Sequence, residues 1–371
     1  MTSLRRRIVR IVLPLIGGLL TVMPADAVEY ENVVLVIHGG TARARETLTP
    51  EREQAMRIDM LKALTAGRDA LAAEGATALD GVQAAVCVLE DSPLFNAGRG
   101  AVFTADERNE LDASIMEGTK LNAGAVAGLT IVKNPILAAR AVMERTEHVL
   151  LMGHGAEQFC REQKLELVEP SYFRTEERLQ ELRKVQAEER AGKTSAVNSS
   201  SQGQTAQKLS PLTPGPSPAV FPKTPGEGSE MRKEYGTVGA VAVDKLGHVA
   251  AGTSTGGMTN KRHGRVGDSP IIGAGTYADD RSCGVSCTGH GEYFIRFSAA
   301  QSIATRVRLL KQSVDEASRI VIHDELGPAG GVGGAIVLTP DGHAAFNWNT
   351  PGMWRGWLTR DGQMNVAVYV E

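Results

Sequence analysis

Between Ala191 and Ser229 the chain runs through Ser, Thr, Gln, Pro and Gly, with almost no large apolar side chain beyond Leu209, Leu212 and Phe221. Such a segment buries too little to offset the entropy of ordering it, so residues 191–235 read as a disordered linker. Packing resumes abruptly at Gly236-Thr237-Val238-Gly239-Ala240-Val241-Ala242-Val243, an apolar run of strand type. A structureless stretch of this length inside a compact domain is unusual, and cutting the linker is one way to resolve it.

The rest of the chain alternates strand and helix patterns. Val33 to Ile37 is a fully apolar, β-rich run ending in His38-Gly39-Gly40, which reads as a buried strand and a glycine turn. Thr49 and Pro50 open an amphipathic helix to about Glu74, and Thr77 with Asp80 caps a second helix through Leu89. Strand patterns follow at Leu111–Met116 and Gly124–Val132, then a helix from Pro135. Glu176 to Glu189 reads as a charged, exposed helix. Beyond the linker, Val238–Val243 and His248–Thr255 read as one hairpin, and Gly333–Thr339 and His343–Asn347 as another. Val285–Thr288 is a further short strand, helices cover roughly Phe294–Arg308 and Ser313–Leu326, and Asn365–Val370 closes the chain. Helix layers around two packed sheets accommodate this order.

Arg5, Arg6, Arg7 and Arg10 precede an apolar stretch from Ile11 to Met23, followed by Ala25-Asp26-Ala27. This is the pattern of a secretory signal over residues 1–27, with a retained membrane anchor as the alternative. Pro14 and Gly17-Gly18 interrupt the stretch and leave it short for a bilayer span. Export to the periplasm follows as an expectation, and with it a compartment that permits disulfides. Cys283 and Cys287 could pair if a turn joins them, Cys87 reads as core, and no cysteine set has zinc-site spacing. A net charge of -3 gives no reason to expect a nucleic-acid partner.

The candidate chemistry gathers around Thr237. Most threonines before a valine strand are structural. A cut before this one, however, would place a hydroxyl nucleophile and a free amine on one residue. An α-amine titrates near 8 or below, so part of it is neutral at pH 7 and can accept the hydroxyl proton. Alternation puts Thr253 and Thr255 on one strand face, where one of them could bond to Thr237. Arg265 and Asp268 share a loop, suited to clamping the carboxylate and ammonium of an amino acid or to forming a surface ion pair. Thr288-Gly289-His290-Gly291-Glu292 offers a hydroxyl and glycine amides, the material of an oxyanion hole. His290 and Glu292 lack a metal-ligand pattern. Asn96, in a glycine-rich loop, either holds backbone groups or a ligand or simply builds a turn. His38 is catalytic or structural.

These stretches resemble the plant-type asparaginase and isoaspartyl peptidase family of N-terminal nucleophile hydrolases. The resemblance rests on Ile37-His38-Gly39-Gly40, Pro93-Leu94-Phe95-Asn96-Ala97-Gly98, Gly124-Ala125-Val126-Ala127-Gly128, Gly236 to Ala242, Thr253 to Lys261 and Gly264 to Pro270. It implies an α+β fold, a four-layer αββα sandwich, made as a precursor that cuts itself between Gly236 and Thr237. Residues 28–190 and 237–371 would then be the α and β parts of one catalytic domain. The family's nucleophile falls on Thr237, its supporting threonine on Thr255, and its oxyanion hole on Thr288 and Gly289. Asn96 matches the asparagine that helps fix the nucleophile. Arg265 would take the substrate carboxylate, Asp268 its amine, and Gly291 would line the amino end.

The implied substrates are β-aspartyl dipeptides and L-asparagine, with no cofactor for catalysis. A structural sodium ion would sit on backbone carbonyls of Leu89, Glu90, Ser92, Phe95, Ala97 and Arg99. The assembly implied is a dimer of αβ heterodimers, without membrane contact once the signal is removed. Glycosylasparaginases usually carry aspartate before the nucleophile, where this chain has Gly236. Threonine aspartase fits the small-substrate motifs less directly. A catalytically silent envelope binding protein would need none of Thr237, Thr255 or Thr288.

Overall fold

Strand β1 (Val33–Ala42) owes its apolar run to a place inside an eight-stranded sheet, covered on both faces. The computed structural model describes residues 30–42, 44–200 and 236–370. The expected signal lies outside the described residues, as does the expected linker from 201 to 235. Beside β1 stand β2 (Leu111–Glu117), β3 (Ala123–Leu129), β4 (Leu150–Met152), β5 (Val238–Val243) and β6 (Val249–Thr255). A four-stranded sheet holds β7 (Thr276–Ala278), β8 (Gly284–Gly289), β9 (Gly333–Leu338) and β10 (Ala344–Trp348). Finally β11 (Gly352–Thr359) and β12 (Met364–Ala367) return to the large sheet, in the order β12-β11-β1-β5-β6-β2-β3-β4.

Helices α1 (Pro50–Ala72), α2 (Ala78–Asp91), α3 (Pro135–Arg145) and α4 (Gly153–Glu162) cover the outer face of the large sheet. The Thr49 hydroxyl caps α1 by accepting the Arg52 N–H, and the Asp80 carboxylate accepts the Thr77 N–H at 2.8 Å at the start of α2. On the far side, α6 (Gly291–Phe297), α7 (Ala299–Thr305) and α8 (Val314–Arg319) cover the small sheet. Strand alternation sorts the core into three layers. Leu35, Ile37, Ala240 and Ala242 face the first helix layer; Val241, Val243, Ala251, Ile336 and Leu338 meet between the sheets; Val285, Val337 and Ala335 face the second helix layer. This is the αββα sandwich expected from the sequence.

Several local expectations need correction. Helix α5 (Glu176–Ser200) passes the expected linker start at 191, since extending an existing helix costs far less than nucleating one. Nor is it wholly exposed: Leu179 and Leu182 pack with Phe103, and buried Arg178 donates to the Gly100 carbonyl at 3.0 Å. Cys283 and Cys287 are free and buried, separated along the extended chain at β8 by roughly 13 Å, too far to bridge. The helix expected from Phe294 starts at Gly291 and is broken at Ser298, which is left-handed at φ 47°. Strand β11 was not anticipated, because glycines and Arg355 interrupt its apolar pattern, yet it pairs along the length of β1.

Helix α1 crosses β1 closely enough that a Cβ at Gly67 would lie 2.5 Å from a Leu35 methyl. Leu35→Ala is therefore expected to leave a cavity under a tightly crossed helix and cost about 2–5 kcal/mol. Urea unfolding of wild type and variant measures it, and a loss below about 1 kcal/mol would show that the crossing relaxes.

Candidate active site

Thr237 stands one residue before β5, between β1 on one side and β6 on the other. Because β6 runs antiparallel, its last residue, Thr255, ends beside the first residues of β5. Of the two threonines that share that strand face, Thr255 reaches Thr237, with their hydroxyl oxygens 3.3 Å apart. Thr253 lies deeper and bonds to Ser286 and Thr276 instead.

Three donors converge on the Gly236 carbonyl. The Asn96 amide donates to it at 2.8 Å, the Thr237 hydroxyl at 2.7 Å and the Thr255 hydroxyl at 3.2 Å. Asn96 is itself pinned, donating also to the Gly257 carbonyl at 2.7 Å and accepting the Val102 N–H at 2.9 Å. The nucleophile candidate thus sits against the peptide bond that precedes it, with that bond's oxygen already polarised. Gly236 permits the approach, because a Cβ there would lie 2.8 Å from the Asn96 Cβ.

The adjoining cleft is lined by Gly236, Thr237, Thr255, Gly257, Met258, Arg265, Gly267, Asp268, Ser269 and Gly289. Arg265 does not pair with Asp268 as a surface ion pair. Its guanidinium makes a two-point contact with Glu292, at 2.9 and 3.0 Å, which holds its plane. His290 stands 3.3 Å from the same carboxylate, and no group of three candidate metal ligands occurs among the described residues. Asp268 is buried, and its Oδ2 has no hydrogen-bond partner among the described residues. Burial pushes its carboxyl up to about 7, with the nearby Arg265 charge drawing it back down. Thr288 likewise carries a buried hydroxyl without a partner among the described residues, and Gly289 after it reaches the cleft. Gly291 packs where a Cβ would lie 2.8 Å from both Arg265 and Asp268.

A buried anion, a fixed cation and an unpartnered hydroxyl around one nucleophile suit a small zwitterion whose side-chain carbonyl meets Thr237. One contributor was hidden in the sequence. Glu189 of α5 accepts from Asn260 at 2.9 Å and from Arg262 at 2.8 Å, tying that helix to the loop that carries Arg265. Arg262 is thereby engaged away from the cleft residues. His38, left open between catalytic and structural, lies directly behind Thr237.

The loop expected to hold sodium bends tightly at Gly98 and Gly100. A Cβ at these positions would lie 2.3 Å from the Glu90 carbonyl and 2.1 Å from the Phe95 carbonyl. Phe95 and Ala97 carbonyls each accept one loop N–H and keep a second lone pair. Crowded carbonyl oxygens without thiolate or imidazole suit a hard cation. Glu90 adds a buried carboxyl with one oxygen unpartnered among the described residues, pushed up to about 8 by burial.

Known proteins resemble this chain over most of its length. The profile of the asparaginase family designated Asparaginase_2 matches residues 31–368. The isoaspartyl peptidase of Salmonella typhimurium is 44% identical over 341 residues, covering 92% of this chain and 99% of the relative. That of Escherichia coli is 42% identical over 340 residues, covering 92% and 97%. The human isoaspartyl peptidase/L-asparaginase is 35% identical over 338 residues, covering 91% and 96%.

The contact between Gly236 and Asn96 can be tested directly. Gly236→Ala is expected to push the Asn96 amide off the carbonyl and slow cleavage of the 236–237 bond at least about tenfold. Intact mass followed over time measures this, and cleavage at the wild-type rate would show that the close approach is dispensable.

Proposed function

The chain belongs to the asparaginase family, and from that premise we propose that it is a self-processing threonine amidohydrolase releasing L-aspartate from β-aspartyl dipeptides and L-asparagine. The observation that carries this reading is the convergence of Asn96, Thr237 and Thr255 on the Gly236 carbonyl beside a cleft holding Arg265 and Asp268.

The first reaction acts on the chain itself. The Thr237 oxygen bonds to the Gly236 carbonyl carbon, its proton passes to the Thr237 nitrogen, and the C–N bond between the two residues breaks, moving the acyl group from nitrogen to oxygen. Asn96 and Thr255 hold the oxygen on which charge develops. Water then hydrolyses the ester, leaving a carboxylate on Gly236 and a free amine on Thr237. Proximity supplies much of the rate, since hydroxyl and carbonyl are neighbours in the chain.

The second reaction uses the amine so created. It takes the Thr237 hydroxyl proton while the oxygen attacks the β-carbonyl of the bound aspartyl group. Arg265 binds the substrate α-carboxylate and the ionised Asp268 its α-ammonium. The Thr288 hydroxyl and the Gly289 N–H stabilise the oxyanion, and a preorganised donor of this kind is worth roughly 3 to 4 kcal/mol. The leaving amine takes a proton, departs, and water cleaves the β-aspartyl ester. Sodium on the Leu89, Glu90, Ser92, Phe95, Ala97 and Arg99 carbonyls would screen their mutual repulsion and stiffen the loop bearing Asn96, without entering either step. Export through residues 1–27 and pairing of two αβ units complete the proposal. Those two points rest on the N-terminal pattern and the family resemblance. The crowding between Gly236 and Asn96 disfavours the aspartate typical of the sugar–asparagine branch.

Thr237→Ala is expected to remain one uncut chain and lose all measurable β-aspartyl hydrolysis, while the parent yields two fragments meeting at Gly236 and Thr237. Intact mass with an aspartate-release assay checks both, and a variant that is still cut or still active would sink the assignment.

The pH dependence follows from Asp268. Below about 7 it is a neutral acid with no charge for the substrate ammonium; above that it is the required anion. So kcat/KM falls as pH drops through about 7, and protonation of the Thr237 amine steepens the fall. Asp268→Asn should lower kcat/KM by roughly tenfold to a hundredfold and remove one of the two ionisations from the acid limb. An unchanged slope would assign that ionisation elsewhere.

A further inference from the structure

His38 lies on β1 opposite Gly239 of β5, and its imidazole is completely buried. Its Nδ1 is 3.0 Å from the backbone carbonyl oxygen of Thr237, and its Nε2 is 2.8 Å from the Ser286 hydroxyl. A carbonyl only accepts, so Nδ1 carries the proton. Burial holds the imidazole pKa down to about 3, which leaves Nε2 as an acceptor for the Ser286 hydroxyl. The chain of hydroxyls behind it is then ordered. Thr253 donates to Ser286 at 2.7 Å and Thr276 to Thr253 at 2.5 Å; Ser114 lies 2.8 Å from Thr276 and donates to the Ser269 carbonyl at 2.5 Å. The ordered line therefore runs from His38 through Ser286 and Thr253 to Thr276, with Ser114 held beside it on the Ser269 carbonyl. Gly239 makes room for it, because a Cβ there would lie 2.0 Å from Ser286 Oγ and 2.4 Å from His38 Nε2.

We propose that His38 is a positioning residue for Thr237: its Nδ1–H clamps the Thr237 carbonyl, Ser286 locks the required tautomer, and the clamp sets the angle between amine, hydroxyl and substrate. The inference rests on the proposed reaction and deepens it. Once the 236–237 bond is cut, Thr237 is a chain terminus, and termini fray unless they are tied down. Thr237 lies outside β5, so a side-chain clamp on its carbonyl takes over from the lost peptide link. His38 touches neither the hydroxyl nor the scissile bond, and its effect is on geometry.

The amide nitrogen of asparagine can take the place of imidazole Nδ1, whereas that of glutamine can take the place of Nε2. The experiment compares His38→Asn, His38→Gln and His38→Ala, with L-asparagine and a β-aspartyl dipeptide, per processed site. Ala and Gln are expected to lose about tenfold to a hundredfold in kcat with KM within about twofold, and Asn to recover most of kcat. Melting temperatures of Asn and Gln should agree. Equal impairment of Asn and Gln, a loss confined to KM, or full kcat in Ala would overturn the proposal. If the parent processes itself but hydrolyses neither substrate, the substrate reading has failed and hydrogen exchange at the start of the fragment beginning with Thr237 becomes the readout. Protection kept in Asn and lost in Gln would then support the clamp, and equal protection would overturn it. A parent that neither processes nor hydrolyses overturns both.

Discussion

One buried carbonyl, that of Gly236, organises the site. A carbonyl needs a partner when it leaves water, and this one has three donors within 3.2 Å, more than ordinary satisfaction requires. Each donor comes from a different part of the chain: Asn96 from the loop after α2, Thr237 from the start of β5, Thr255 from the end of β6. Their meeting fixes that loop against the hairpin and leaves the Thr237 oxygen against the Gly236 carbonyl. The geometry that satisfies this buried carbonyl is thus also the geometry that the proposed self-cleavage requires.

The space between the two sheets carries a second constraint. Over most of its extent it is filled by Val33, Val36, Val241, Ile336 and Leu338, which gain from burial. At one end β1, β2, β6, β7 and β8 contribute His38, Ser114, Thr253, Thr276 and Ser286, all buried. Buried hydroxyls without partners cost about 1–3 kcal/mol each, so such a patch survives only when its members satisfy one another. They do so in a connected line that ends behind Thr237. Rigidity at the nucleophile is the return on a core that could have been apolar.

Charge is arranged with the same economy. Glu292 fixes the Arg265 guanidinium in place by two hydrogen bonds, so the proposed substrate carboxylate would meet a preorganised cation. Asp268 lacks that help; its unpartnered oxygen and raised pKa mark a group that gains most when an ammonium arrives. The cleft therefore stores its unmet polar capacity where the ligand charge is opposite. Tethering of the Arg262 loop by Glu189 extends this control to α5.

Much of this was readable in the chain. The abrupt change at Gly236, the alternation that pairs Thr253 with Thr255, and the succession of strands and helices are local patterns, and local sterics and solvation govern them. Composition and periodicity could therefore mark the layered α+β plan and the abrupt start at Gly236, and motif resemblance could name candidate site residues. Which threonine meets Thr237 depended on strand register. The Arg265 partner, the inward stripe of α5 and the free state of Cys283 and Cys287 depended on packing. His38 and Thr237 are 199 positions apart, and Asn96 and Gly236 are 140 apart. No local pattern encodes contacts of that range; the first exists because β1 pairs with β5, the second because the loop after α2 packs against the end of β6. The sequence alone determined which groups could do the chemistry, while only the tertiary structure decided which of them touch, because reach across sheets is set by register and burial.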